Sequence, residues 1–105
     1  MKLKDGKGII REFLDNGLLY FEGEYSNGKW NGQGKGYNFE GKLVFEGQYL
    51  NGKWNGQGKE YNYKGKLVFE GEFLNGKRWN GNLYDDELKS IEYVNGERKK
   101  NEKNF

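Results

Sequence analysis

The chain has 105 residues, 18 Lys and Arg against 16 Asp and Glu, and a formal net charge of +2. With no Cys and no His, a disulfide framework, Cys/His zinc spacing and His-based catalysis are excluded. A small, mixed charge also excludes the single-sign field of a dedicated nucleic-acid binder.

Mean hydropathy is strongly polar, which on its own argues for disorder. The aromatic residues, 17% of the chain, argue against it because they recur at fixed positions. Asn, Lys, Tyr, Phe and Glu stand where Ala, Pro and Thr are absent, the pattern of AT-rich coding. Met1 to Asp5 lead into no apolar h-region. No apolar run approaches the ~20 residues of a membrane span. The expected compartment is cytoplasmic, with no cofactor.

In chain order, residues 1–19 are an N-terminal cap, a worn half-repeat in which 17–23 match 41–47. Repeats follow at 20–44, 45–68 and 69–84. The stretches 21–44 and 45–68 agree at 19 of 24 positions. The third copy gains one residue, Arg78, so that Trp79-Asn80-Gly81 arrive one place late. A repeat at fixed period decides how every local motif is read. Residues 85–98 form a C-terminal cap and 99–105 a charged, frayed tail.

Within a repeat, Asn27-Gly28, Asn31-Gly32 and Glu40-Gly41 are turn signals, because Asn-Gly favours the positive φ of tight hairpins. Strand-like alternation places strands near 19–26, 34–39, 42–50, 58–63 and 66–74, with cap strands near 8–14 and 87–94. A two-residue turn at Glu40-Gly41 sets Phe39 opposite Lys42, Tyr37 opposite Val44, Gly36 opposite Phe45, Lys35 opposite Glu46 and Gly34 opposite Gly47. One face then collects Leu43, Phe45 and Tyr49 with glycines between them. The other collects Tyr37, Phe39, Val44 and a Lys35–Glu46 pair. Glycines let rings lie over bare backbone; Glu60, standing where the first repeat has Gly36, breaks that scheme opposite Phe69.

These residues resemble the MORN repeat (membrane occupation and recognition nexus). The resemblance is carried by Phe21–Tyr25, Asn27–Lys29, Gly32–Gly34 and Gly41–Leu43, recurring from Phe45 and from Phe69, and covers residues 17–81. It implies an all-β fold: a single elongated, twisted antiparallel sheet of consecutive β-hairpins with a period of 24. It also implies no catalytic residues, since MORN arrays serve as protein-interaction platforms, dimerisation rods and proposed phospholipid binders. The Arg78 insertion and the tryptophans before each Asn-Gly depart from the common pattern.

Gly32-x-Gly34-x-Gly36 lacks the third glycine and the helix of a phosphate loop and is read as sheet geometry. Glu22, Glu46 and Glu70 sit in equivalent environments, which cannot separate their pKa values as acid–base catalysis requires. They are read as a solvated ladder with Lys35 and Lys59. No enzymatic activity is therefore expected. The candidate binding residues are Trp30, Trp54 and Trp79, read as a row at one edge, with their basic neighbours Lys29, Lys53, Lys77 and Arg78 and the paired Tyr37 and Tyr61. Trp and Tyr are enriched at interaction hot spots, although each Trp also suits a lid on its own hairpin.

The expected function is a non-catalytic protein-binding module, an adaptor or a small proteinaceous inhibitor of phage or antitoxin type, with a protein partner. Two alternatives stand beside it. One is a peripheral membrane or phosphoinositide binder contacting anionic lipid. The other is a structural rod that homo-oligomerises through its sheet edges.

Overall fold

The structure is a computed structural model, which describes residues 7–85 and 90–99. Nine strands form one antiparallel sheet in which spatial order equals chain order. They are β1 (Lys7–Phe13), β2 (Leu19–Ser26), β3 (Lys29–Tyr37), β4 (Leu43–Leu50), β5 (Lys53–Tyr61), β6 (Leu67–Leu74), β7 (Lys77–Tyr84), β8 (Ser90–Val94) and β9 (Glu97–Arg98). The chain is thus all-β, a single open sheet of consecutive hairpins with a period of about 24 residues. It measures 59 × 28 × 14 Å, one layer thick. The cap strand expected over 87–94 is β8 from Ser90 onward. Residues 86–89, and the tail beyond Lys99, lie outside the described residues.

Two kinds of connection alternate, each on its own long edge. On one edge, Asn27-Gly28, Asn51-Gly52, Asn75-Gly76 and Asn95-Gly96 close two-residue turns. Their Asn residues have φ of 49–51° and their Gly residues 83–86°. Positive φ at both central residues matches the strand twist, and Asn and Gly tolerate it best. On the other edge run wider loops. Asn38 N–H donates to the Lys42 carbonyl at 2.9 Å and Gly41 N–H to the Asn38 carbonyl at 3.0 Å. Asn62–Lys66 and Leu14–Leu18 repeat the arrangement. Here three residues form the loop and Gly41, at φ +79°, occupies its left-handed position. The Asn38 side chain holds the loop by accepting from the N–H groups of Glu40 and Lys42.

The wider loop corrects the two-residue turn expected at Glu40-Gly41. Gly36–Phe45, Lys35–Glu46 and Gly34–Gly47 pair as expected, but Tyr37 lies opposite Leu43 rather than Val44, across a bulge.

Asn31-Gly32 and Asn55-Gly56 are not turns either. They lie inside β3 and β5, so these strands begin five residues before the expected starts at 34 and 58. At this point Glu24 alone spans three residues of β3, between the pairs Gly23–Gly34 and Tyr25–Trp30. A bulge needs the same positive φ from Gly32 (+108°) and Gly56 (+104°) that a turn would. The freed N–H groups are caught by side chains of the facing strand: Gln33 donates to the Glu24 carboxylate and Gln57 to Gln48 Oε1.

The bulge also anchors the next hairpin. Gly52 N–H donates to the Trp30 carbonyl, Gly76 N–H to that of Trp54 and Gly96 N–H to that of Trp79, all within 2.7–2.8 Å. Asn55 and Asn80 side chains add bonds of 2.9 Å to the N–H groups of Asn75 and Asn95.

The core lies on one face. Phe21, Phe45 and Phe69 are fully buried, and Tyr49 and Phe73 nearly so. Glycines make this possible without a second layer. A Cβ on Gly58 would lie 2.4 Å from the Phe45 ring, and one on Gly34 2.9 Å from that of Phe21. Each phenylalanine therefore covers backbone of its own and the next strand. The rings rest over Gly34, Gly58 and Gly81 rather than over Gly36, so Glu60 disturbs none of them.

Candidate functional site

The aromatic face is a chain of edge-to-face contacts. Tyr49 stands against Phe21 at 5.2 Å and Phe45 at 5.4 Å, Phe73 against Phe45 and Phe69 at 5.1 Å each, and Tyr93 against Phe69 at 5.4 Å. Such geometry suits the ring quadrupole and adds about 0.5–1.5 kcal/mol per pair beyond area burial.

Two indoles lie flat on this ladder. Trp30 stacks on Phe21 at 4.2 Å with 4° between planes, and Trp54 on Phe45 at 4.3 Å with 7°. Trp30 Nε1–H donates to Glu12 at 2.6 Å, beside the Tyr20 hydroxyl, which donates to the same carboxylate at 2.7 Å. That bond, with burial and the Glu12 charge behind it, raises the Tyr20 pKa. Burial pushes the Tyr49 hydroxyl up to about 12, opposed by its hydrogen bond with Trp54. Trp30 and Trp54 thus serve as lids over phenylalanines, and one flat side of each indole is spent on packing.

In the third repeat Arg78, not Trp79, faces Phe73, as Trp54 faces Tyr49. Its guanidinium carbon sits 5.5 Å from the centre of the Phe69 ring and 6.0 Å from that of Tyr93. Two bonds of 2.9 Å run from Arg78 to the two oxygens of Glu60, and this pairing is the main cause of its raised pKa. Trp79 is the unpaired residue of a bulge, and its ring packs on the turn at Gly96. The three tryptophans therefore do not form one equivalent row. Lys29, Lys53 and Lys77 are exposed and do line up, each opening a strand on the Asn-Gly edge.

The opposite, wide-loop edge carries aromatics that folding does not use. Phe39 is 82% exposed, Tyr63 66% and Phe13 56%. Phe39 and Tyr63 occupy the same loop position one repeat apart, about 10 Å by strand spacing. Lys42 Nζ donates to the Tyr63 carbonyl at 3.3 Å, and Lys64 Nζ lies 5.7 Å from the Tyr63 ring centre. Between them is a recess of about 400 Å³ lined by Lys42, Leu43, Tyr61, Tyr63, Lys64 and Gly65. One repeat earlier, Leu18 takes the place of Lys42, and a Cβ on Gly41 would lie 3.5 Å from its side chain. Tyr61 is thus placed beside this edge, its hydroxyl donating to Glu46 at 2.6 Å, and burial with that bond pushes its pKa up to about 12. Tyr37 holds the equivalent, half-buried position. Sequence reasoning missed Phe39 and Tyr63 as surface residues. Their signal was present: an aromatic at a loop position has no strand neighbour to pack against.

The second face is polar. Arg11 faces Glu22, Glu22 faces Lys35, and Lys35 faces Glu46. Lys59 continues the row between Glu46 and Glu70, followed by Asn82 and Glu92. This is the ladder expected from Glu22, Glu46 and Glu70. Alongside it a groove of about 510 Å³ runs over Gly34, Gly47 and Gly58, with Gln33 and Gln57 on its other wall.

Among the described residues no group of His, Cys, Asp and Glu has metal-site geometry, and no helix is long and apolar enough to cross a membrane. No family model, curated protein or solved structure matches the chain.

Proposed function

We propose that the chain is a MORN-type, non-catalytic protein-binding module, acting as an adaptor or small inhibitor, and that its contact surface is the wide-loop edge at Phe39 and Tyr63. The observation that carries the reading is their exposure. Two large aromatics at equivalent loop positions stand in solvent, more exposed than Phe13 on the same edge, and one of them, Tyr63, lines a recess with Lys42 and Lys64. Rigid aromatics next to a recess and flanked by cations are the usual make-up of an interface anchor. The MORN-type assignment rests on the repeated Phe-Glu-Gly, Asn-Gly-Lys and Gly-Lys-Leu segments together with the hairpin array.

A second reading draws on the same residues. Aromatics beside lysines also suit the headgroup layer of an anionic membrane. One pair of measurements separates the two. Protein partners captured from the source cell by the wild-type chain, then purified, are expected to lose about tenfold in affinity for Phe39→Ala/Tyr63→Ala, with an unchanged melting temperature. Undiminished binding by this variant would sink the proposed surface. Pelleting of the wild type, but not the variant, with phosphatidylserine vesicles at low salt would favour the membrane reading instead.

A further inference from the structure

We propose that the polar face is a homodimer interface, in which a second copy of this chain packs its own polar face against the first about a two-fold axis parallel to the strands and between β4 and β5. This goes beyond the reading of the wide-loop edge, and the two meet only where Glu46 accepts from the Tyr61 hydroxyl. The starting observation is the order of charges across the sheet. From β1 to β6 the signs alternate strictly: Arg11, Glu22, Lys35, Glu46, Lys59, Glu70.

The stated axis keeps each row of side chains over itself and reverses the strand order. Because the axis lies between two adjacent strands, it sets every odd-numbered strand over an even-numbered one, and in an alternating row these carry opposite signs. Glu46 then faces Lys59 of the second copy, Lys35 faces its Glu70, and Arg11 faces its Glu92. The one neutral place, Asn82, faces Glu22. The neighbouring row obeys the same axis: Gln48 faces Gln57, Gln33 faces Glu72, and Glu24 faces Asn80. No like charges meet in either row.

Two further observations favour this occupant. Among the described residues, ion pairs close at Arg11–Glu22 (2.7 Å), Lys59–Glu70 (3.8 Å) and Arg78–Glu60 (2.9 Å), while Lys35, in the middle of the row, closes none. The sheet outline of 59 × 28 Å also exceeds the ~800 Å² per partner of a standard interface. Long Lys, Glu and Gln side chains suit the ~10 Å separation of stacked sheets. Electrostatic matching of this kind fixes register and suppresses wrong partners.

The test is sedimentation velocity on the full chain. At about 0.02 M salt the wild type is expected to reach twice the 12.3 kDa of one chain, and about 1 M salt should weaken association about tenfold or more through screening. Glu46→Lys alone and Lys59→Glu alone each place like charges face to face, so each stays monomeric. An equimolar mixture of the two variants regains complementarity at every place and returns to the dimer mass. The double variant Glu46→Lys/Lys59→Glu dimerises with itself, which keeps the test decisive if either single variant folds poorly. A wild type that stays monomeric at low salt overturns the proposal. So does a dimer indifferent to both single changes, or a mixture that fails to reassociate.

Discussion

Over Phe21 and Phe45 lies an indole; over Phe69 lies the guanidinium of Arg78. A planar cation on an aromatic face replaces part of the stacking energy, but it needs an anion in a half-buried setting. Glu60 supplies it with two bonds of 2.9 Å. The corresponding place in the preceding repeat is Gly36, beside a Trp54 that hydrogen-bonds to Tyr49. At the same place in the first hairpin a glutamate also occurs, Glu12, and there it accepts from the Trp30 indole; in the third unit Glu60 accepts from Arg78 instead. Removing one partner of such a pair strands the other, at a cost of about 1–3 kcal/mol. Arg78→Leu alone and Glu60→Gly alone are each expected to destabilise the chain by about that amount. Together they should cost less than the sum, with a coupling of about 1 kcal/mol or more in denaturant melts. Strict additivity would show that the two residues do not act as a unit.

At the scale of the hairpin, the glycines divide into two kinds. Gly58 has an ordinary φ but no room, since a Cβ there enters the Phe45 ring at 2.4 Å; at Gly36 the nearest atom is the Tyr49 hydroxyl at 2.8 Å, the far end of a side chain. Gly58→Ala is expected to cost about 1–3 kcal/mol by overpacking, read as a melting temperature lowered by about 4–8 °C per kcal/mol. Gly36→Ala should cost clearly less, as the presence of Glu60 at its counterpart indicates. Equal losses at both sites would overturn this account of the ladder.

Much of this level was legible in the sequence. The period, the hairpin array, the Gly34–Gly47 register and the alternating Lys and Glu follow from the repeated pattern. Which Asn-Gly bends the chain does not. Asn27-Gly28 and Asn31-Gly32 both present a glycine for positive φ, and only the facing strand decides that the second is a bulge held by Glu24. For the same reason Trp79 looked like a third Trp54. The pairing of Phe73 with Arg78 depends on how many residues the bulge of β7 absorbs, which no dipeptide records. Phe39 was read as a strand residue because a two-residue turn was assumed.

At the scale of the molecule, no second layer covers the sheet among the described residues, and contacts reach no further than the neighbouring strand and, through pairs such as Phe21–Tyr49 and Arg78–Glu60, the strand beyond it. Stability in such an array is close to a sum of units and their interfaces, with the ends opening first. Hydrogen exchange is expected to show the greatest protection in β4 and β5 and a graded loss toward β1 and β8. Uniform protection across the sheet would instead show a single all-or-none unit.

The tie between the Asn-Gly turns at Gly52, Gly76 and Gly96 and the Trp carbonyl of the preceding hairpin gives the fold a grammar for growth. A duplicated 24-residue unit arrives carrying both halves of the joint, so the array lengthens by copying without new contacts having to be found. The Glu60–Arg78 bond limits that freedom. It spans the boundary between the second and third units, so excising the second would set Arg78 beside Gly36 with no carboxylate to meet it. The first two units are near-synonyms; the third completes a sentence only after the second.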